Sequence, residues 1–116
     1  MQLSGGGGDR SWKDDEKFVA SFQGHRFESI NGDKAGILMF MDVKGELFER
    51  WETKAWSRMI FGEPKSKDRP AVKPTLKQND VVEVTVGGEK KLKGGKRFRR
   101  FEVDLLTGKD IPKTLR

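Results

Sequence analysis

The sequence predicts an all-β domain of five strands curled into a barrel. Three observations carry this. Two stretches near the C-terminal end largely alternate apolar and polar residues with period two, turn signals separate the apolar runs, and no long segment carries a clear helical period. Small all-β domains close on themselves because closure removes the unpaired strand edges that otherwise recruit other chains.

The elements follow in order. Met1 to Ser11 is Gly-rich with little to bury and reads as a flexible tail; residues 12–108 make one domain, and residues 109–116 make a short C-terminal tail. In KFVASFQGHRFESI, Phe18, Ala20 and Phe22 share one side of an extended chain, Gly24 interrupts, and Phe27 resumes on the other parity. That switch predicts a long first strand bent at a glycine bulge. Asn31-Gly32-Asp33 is a turn signal, and GILMFMDV, with consecutive apolar residues, reads as a strand buried on both faces. Lys44-Gly45 is a two-residue turn, and ELFERWETKAW is its return strand, with Leu47 and Trp51 on one parity and Phe48, Arg50 and Trp56 on the other. The same residues also fit a helix, since Leu47, Trp51 and Ala55 recur every four positions. EPKSKDRPAVKP holds three of the four prolines and is a loop. Val82, Val84 and Val86 then face one way and Val81, Glu83 and Thr85 the other, in the best-patterned strand of the chain. Its partner is RFRRFEVDLL, with Arg99, Phe101, Val103 and Leu105 on one face and Phe98, Arg100, Glu102 and Asp104 on the other.

Charge is the most informative feature. The segment from Gly87 to Phe101 carries seven of the 24 basic residues and only one of the 18 acidic ones, leaving 17 against 17 elsewhere, so fifteen consecutive residues account for the whole net charge of +6. Solubility could be served by charge spread anywhere; a neutral domain with one basic strip is what local attraction to phosphate requires. Gly87-Gly88 and Gly94-Gly95 bracket Lys90, Lys91 and Lys93 and precede Lys96, which suggests a glycine-hinged cationic hairpin that could fold over a polyanion.

The architecture resembles the oligonucleotide/oligosaccharide-binding (OB) fold, through the bent first strand, the hairpin of strands two and three, the non-strand segment after them, and a long loop before strand five. The rhythm from Phe48 to Trp56, followed by Leu76-Lys77-Gln78-Asn79-Asp80-Val81-Val82-Glu83-Val84 at the entry to strand four, is similar to single-stranded DNA-binding proteins of the bacterial and phage type. The resemblance covers Lys17 to Leu106. It implies a five-stranded OB-like barrel with a long basic hairpin between strands four and five. It also implies a groove across strands two and three, bounded by the loops Asn31 to Gly36 and Gly87 to Arg97. Many such proteins end in an acidic tail that recruits partners, whereas this chain ends in the basic GKDIPKTLR.

Single-stranded nucleic acid needs cations for phosphates and flat side chains for bases. The candidate phosphate contacts are Lys54, Arg58, Lys90, Lys91, Lys93, Lys96, Arg97 and Arg100. Trp56 and Phe98 are the candidate aromatic contacts, with Phe48 and Trp51 as further stacking positions and Trp12 beside them. On a strand Lys54, Trp56 and Arg58 share one face, which would set an aromatic between two cations. Phe40, Trp51 and Phe101 each also fit a core position, and KKLKGGKRFRR also fits a solvated face or a nuclear localisation patch.

Other chemistries find less support. With no cysteine and the single histidine His25, neither a thiolate zinc site nor a cysteine nucleophile can be built, no metal or cofactor is expected, and His25 reads as structural. Asp42 followed by Glu52-Thr53-Lys54 matches the acid pattern of small metal-dependent nucleases, provided the turn at Lys44-Gly45 brings both carboxylates together. The longest apolar run, Gly36 to Met41, is too short to cross a bilayer, and a cytoplasmic protein is expected. The expectation is a non-enzymatic domain that binds single-stranded DNA with little sequence preference, in replication, recombination or repair. RNA binding, docking on an acidic protein partner and the small nuclease are the alternatives, and a homo-oligomer is compatible with all of them.

Overall fold

A computed structural model describes residues 10–116. The Gly-rich run over residues 1–9 lies outside the described residues; Arg10 and Ser11, assigned to that tail from sequence, are part of the folded domain.

Five strands form one antiparallel sheet: β1 (Lys17–Ile30), β2 (Asp33–Asp42), β3 (Leu47–Trp51), β4 (Val81–Lys91) and β5 (Arg97–Leu106), in the order β3-β2-β1-β4-β5. Strands one to four thus form a Greek key, in which the long connection after β3 returns the chain to lie beside β1. The parity switch in β1 is a bulge. The β1–β2 register slips between Phe22 and Gly24, and Gly24 has φ 133°, a value that L side chains rarely adopt. Asn31 and Gly32, at φ 52° and 85°, make the two-residue turn into β2 with Ile30 paired to Asp33, so no loop extends to Gly36. The turn after β2 has three residues where the sequence suggests two. Gly45 at φ 81° donates its N–H to the Asp42 carbonyl, while the Asp42 carboxylate accepts the N–H groups of Lys44 and Glu46.

The sheet is open. No ladder joins its edge strands β3 and β5, and the closed barrel expected from sequence is corrected accordingly. The seam between the edges is occupied by residues 10–16. The Arg10 carbonyl accepts the N–H of Trp51, and Trp12 Nε1 donates to the Trp51 carbonyl at 2.8 Å. Asp15 and Glu16 exchange hydrogen bonds with Val86 on β4, and Asp14 pairs with Arg99 on β5 at 2.8 Å.

A helix the sequence analysis did not assign, α1 (Lys54–Phe61), covers the core. Trp56, Met59 and Ile60, at i, i+3 and i+4, turn one face inward. Gly62, at φ 72°, ends the helix by donating to the Arg58 carbonyl, and a Cβ there would sit 2.3 Å from the Val72 carbonyl oxygen. The expected return strand through Trp56 therefore stops at Trp51. Two 3-10 turns, Gly108–Asp110 and Lys113–Leu115, follow β5. No helix among the described residues is long and apolar enough to cross a membrane.

The core is aromatic. Trp56 and Phe40 are fully buried, and Trp12 stacks on Trp56 with ring centroids 5.4 Å apart while meeting Phe101 edge-on at 4.8 Å. Val82, Val84 and Val86 are buried beside them, as their alternation predicts; Leu105, on the same strand face as Phe101 and Val103 by parity, is half exposed.

Candidate nucleic-acid interface

The hairpin of β4 and β5 is a regular ribbon almost to its tip. Lys90 pairs with Phe98 and Lys91 with Arg97, and the Leu92 N–H reaches the Lys96 carbonyl at 2.6 Å. The turn is confined to Lys93-Gly94-Gly95-Lys96, where both glycines have positive φ, 85° and 79°. Gly87-Gly88, expected to be a flexible hinge, is a β-bulge inside the ladder, where the register slips between Val86 and Glu89. A Cβ on Gly87 would lie 2.9 Å from the Arg100 carbonyl oxygen, so the glycine permits a close backbone approach. The lysines therefore project from a twisted ribbon, and all four at positions 90, 91, 93 and 96 are exposed.

At the base of this ribbon a groove of about 530 Å³ opens on the seam between the edge strands. One wall is the end of β3 and the start of α1, with Trp51, Thr53, Lys54, Ala55 and Arg58; the other is the start of β5, with Arg97, Phe98, Arg99 and Phe101. Ser11 and Trp12 belong to the strap between them, and Glu89 comes from β4. The volume lies in the range of small-ligand sites.

The groove is cationic, and its arginines are held. Arg97 donates to Glu89 at 3.0 Å, and Arg99 donates to Asp14 and to the Gly87 carbonyl, both at 2.8 Å. Arg58 pairs with Glu63 at 3.0 Å. The Arg10 guanidinium lies 5.2 Å above the Trp51 ring. Arg10 is fixed there by Glu49 at 2.9 Å and Glu28 at 3.3 Å, and the same two carboxylates bind Arg26 at 2.8 and 2.9 Å. Hydrogen bonds from Arg26 first and Arg10 second hold the Glu28 carboxyl below its usual range; bonding to Glu49, then Glu28, raises Arg26 in turn.

The sequence-predicted residues separate into two groups. Trp51, Lys54, Arg58, Arg97 and Phe98 line the groove, and Phe98 is 42% exposed. Trp56 does not: it has no exposed surface and cannot present a face to a base, because it faces the core from the helix. Lys54 and Arg58 flank it on that helix, four residues apart, where the sequence reading placed them on a strand face. Trp12 is likewise core, and Phe48 packs against Phe18 and Phe40 with the Arg50 guanidinium 5.0 Å from its ring. Arg100 is exposed on β5, outside the groove lining. The loop proposed at residues 31–36 has no counterpart beside the groove. Sequence reasoning missed Arg10, Ser11, Glu89 and Arg99. Glu89 carried a signal, as the single acid in the basic strip; Arg10 carried none, since it follows a glycine run.

The nuclease pattern does not assemble. The Glu52 N–H donates to the Gly36 carbonyl, six residues along β2 from Asp42, so the two carboxylates sit roughly 20 Å apart at strand spacing. Glu52 instead pairs with His25, whose ring meets Phe27 and Phe61 edge-on at 4.7 and 5.1 Å, a structural setting. No cluster of three or more metal-ligating side chains occurs among the described residues. No known protein family, curated protein or solved structure matches this chain.

Proposed function

We propose that the chain is a single-stranded DNA-binding domain with an OB-like, partly open barrel, in which the basic ribbon tracks phosphates and Trp51 and Phe98 stack on bases. One observation carries the reading. The residues that hold the entire net charge form a ribbon whose base opens directly onto a groove lined by the part-buried Trp51 and the exposed Phe98. Nucleic acid without base pairing needs that combination, since the cations supply an attraction indifferent to sequence and each stacked base adds about 1–3 kcal/mol. The Greek-key order of the sheet and the helix between β3 and β4 accord with the OB arrangement, whose ligand lies near the loop joining strands four and five.

Duplex DNA hides its base faces, so stacking predicts preference for single strands. The test is titration of the protein with oligo-dT, oligo-rU and matched duplex at two salt concentrations, read by tryptophan fluorescence. Quenching by oligo-dT with weaker binding of the duplex supports the reading. Stronger binding of oligo-rU moves the assignment to RNA, and no binding of any of them at low salt refutes it.

A further inference from the structure

Glu89 is out of place in a site for polyanions. It is the only acid between Gly87 and Phe101, it lines the groove, and its charge opposes the phosphates that the surrounding cations attract. Its local bonds do not use it up. Oε1 accepts from Arg97 Nη1 at 3.0 Å, whereas among the described residues the nearest cation to Oε2 is Arg99 Nη2 at 3.9 Å, beyond hydrogen-bond reach, and the side chain is 40% exposed. A carboxylate oxygen with open lone pairs thus stands beside a guanidinium, in a groove that also contains Trp51 and Phe98.

An acceptor next to a donor is a reading head for a base edge. Guanine presents two adjacent donors, N1–H and the N2 amino group, beside the acceptor O6, so a carboxylate can take both donors while the neighbouring arginine donates to O6. The other bases fit worse. Thymine and uracil flank one N–H with two carbonyls that a carboxylate repels, while cytosine and adenine each offer a single amino donor next to an acceptor. We infer that the groove is a base pocket selective for guanine, with Glu89 and Arg97 reading the edge and Trp51 or Phe98 supporting the ring. This inference rests on the single-strand reading above, to which it adds one position that is not sequence-neutral.

The test compares labelled oligo-dT with the same oligomer carrying one central dG, dA or dC, by fluorescence anisotropy at fixed salt. A single dG tightens binding by about fivefold, the low end of what a good side-chain pair to a base edge discriminates, and dA and dC do not. In Glu89→Gln the ratio of dG-oligomer to oligo-dT affinity falls to about one, because the amide presents its own donor to the guanine donors. Thermal unfolding of the variant checks its fold, and Arg97→Ala offers a second route to the same loss. Equal affinity for all four oligomers overturns the inference and leaves general single-strand binding intact. A dG preference that survives Glu89→Gln also overturns it. Should oligo-dT fail to bind at all, the general reading falls, and guanosine monophosphate against uridine monophosphate still decides the pocket. Saturable tryptophan quenching by the guanine nucleotide alone supports it, and equal or absent responses overturn it.

Discussion

Replacing Lys90, Lys91, Lys93 and Lys96 together by alanine removes the exposed charge of the ribbon and leaves its ladder, since the pairs Lys90–Phe98 and Lys91–Arg97 are made by backbone atoms. Adjacent ribbon residues point to opposite faces, so a single strand lying along one face meets Lys90 or Lys91 but not both, and with the turn lysines two or three contacts in all. Each phosphate contact contributes about 0.7 to the slope of log affinity against log salt, so the slope falls by about 1.4 to 2.1. If wild type and variant converge near 1 M salt, affinity at 0.1 M falls by about 25- to 125-fold. Stability moves little, because substitutions at exposed positions usually stay within about 0.5 kcal/mol. Anisotropy titrations with oligo-dT at four or more salt concentrations measure the slope, and urea unfolding measures the stability. An unchanged slope with an unchanged unfolding midpoint would show that the lysines are only solvated, and the reasoning from charge confinement would fail.

Phe98→Ala should weaken oligo-dT binding by about 1–3 kcal/mol through loss of one stacking face; calorimetric titration checks this, and an unaltered affinity removes Phe98 from the site. Trp56→Ala should destabilise the fold by about 3–5 kcal/mol, the usual cost of emptying a large aromatic site in a core; a urea midpoint near that of wild type would contradict its burial. Glu28→Gln reports on the ion-pair network that holds Arg10 over Trp51. Because hydrogen bonds from Arg26 and then Arg10 hold the Glu28 carboxyl below the usual carboxylate range in the folded state, its contribution to stability is present above that range and is lost as pH falls through the folded value. The stability difference between wild type and variant should accordingly be present at pH 6 and shrink in acid; a difference independent of pH would rule out the ionised carboxylate as its source.

How much of this was legible in the sequence depended on whether the signal was local. The β1 bulge was readable because Phe18, Ala20, Phe22 and Phe27 change parity across a glycine, and β4 because its valines alternate without a break. The helix was not. Its inward face, Trp56, Met59 and Ile60, begins where a plausible strand ends, and its N-cap Thr53 has no acid or amide three residues on to announce it. On a strand the cationic sequence neighbours of Trp56 would mark it as a surface aromatic, and those same neighbours, on a helix, occupy a different face. The groove was half legible. Its cations and two aromatics were named, yet the strap from Arg10 to Glu16 that separates β3 from β5 depends on long-range contacts that no local pattern encodes.

That strap explains why the groove lies at the seam. A β3–β5 ladder would bring the edge strands to about 4.8 Å apart and leave no room between Trp51 and Phe98 for a flat ring. Here Trp12 occupies the inner part of the gap, stacked on Trp56 and hydrogen-bonded to the Trp51 carbonyl, so the core is sealed by a side chain and not by backbone pairing. The outer part of the gap stays open, bordered by the end of β3, the start of α1 and the start of β5. Buried and accessible aromatics thus have complementary duties. Trp12 and Trp56 hold the strands apart, and Trp51 and Phe98 line the space that this separation creates.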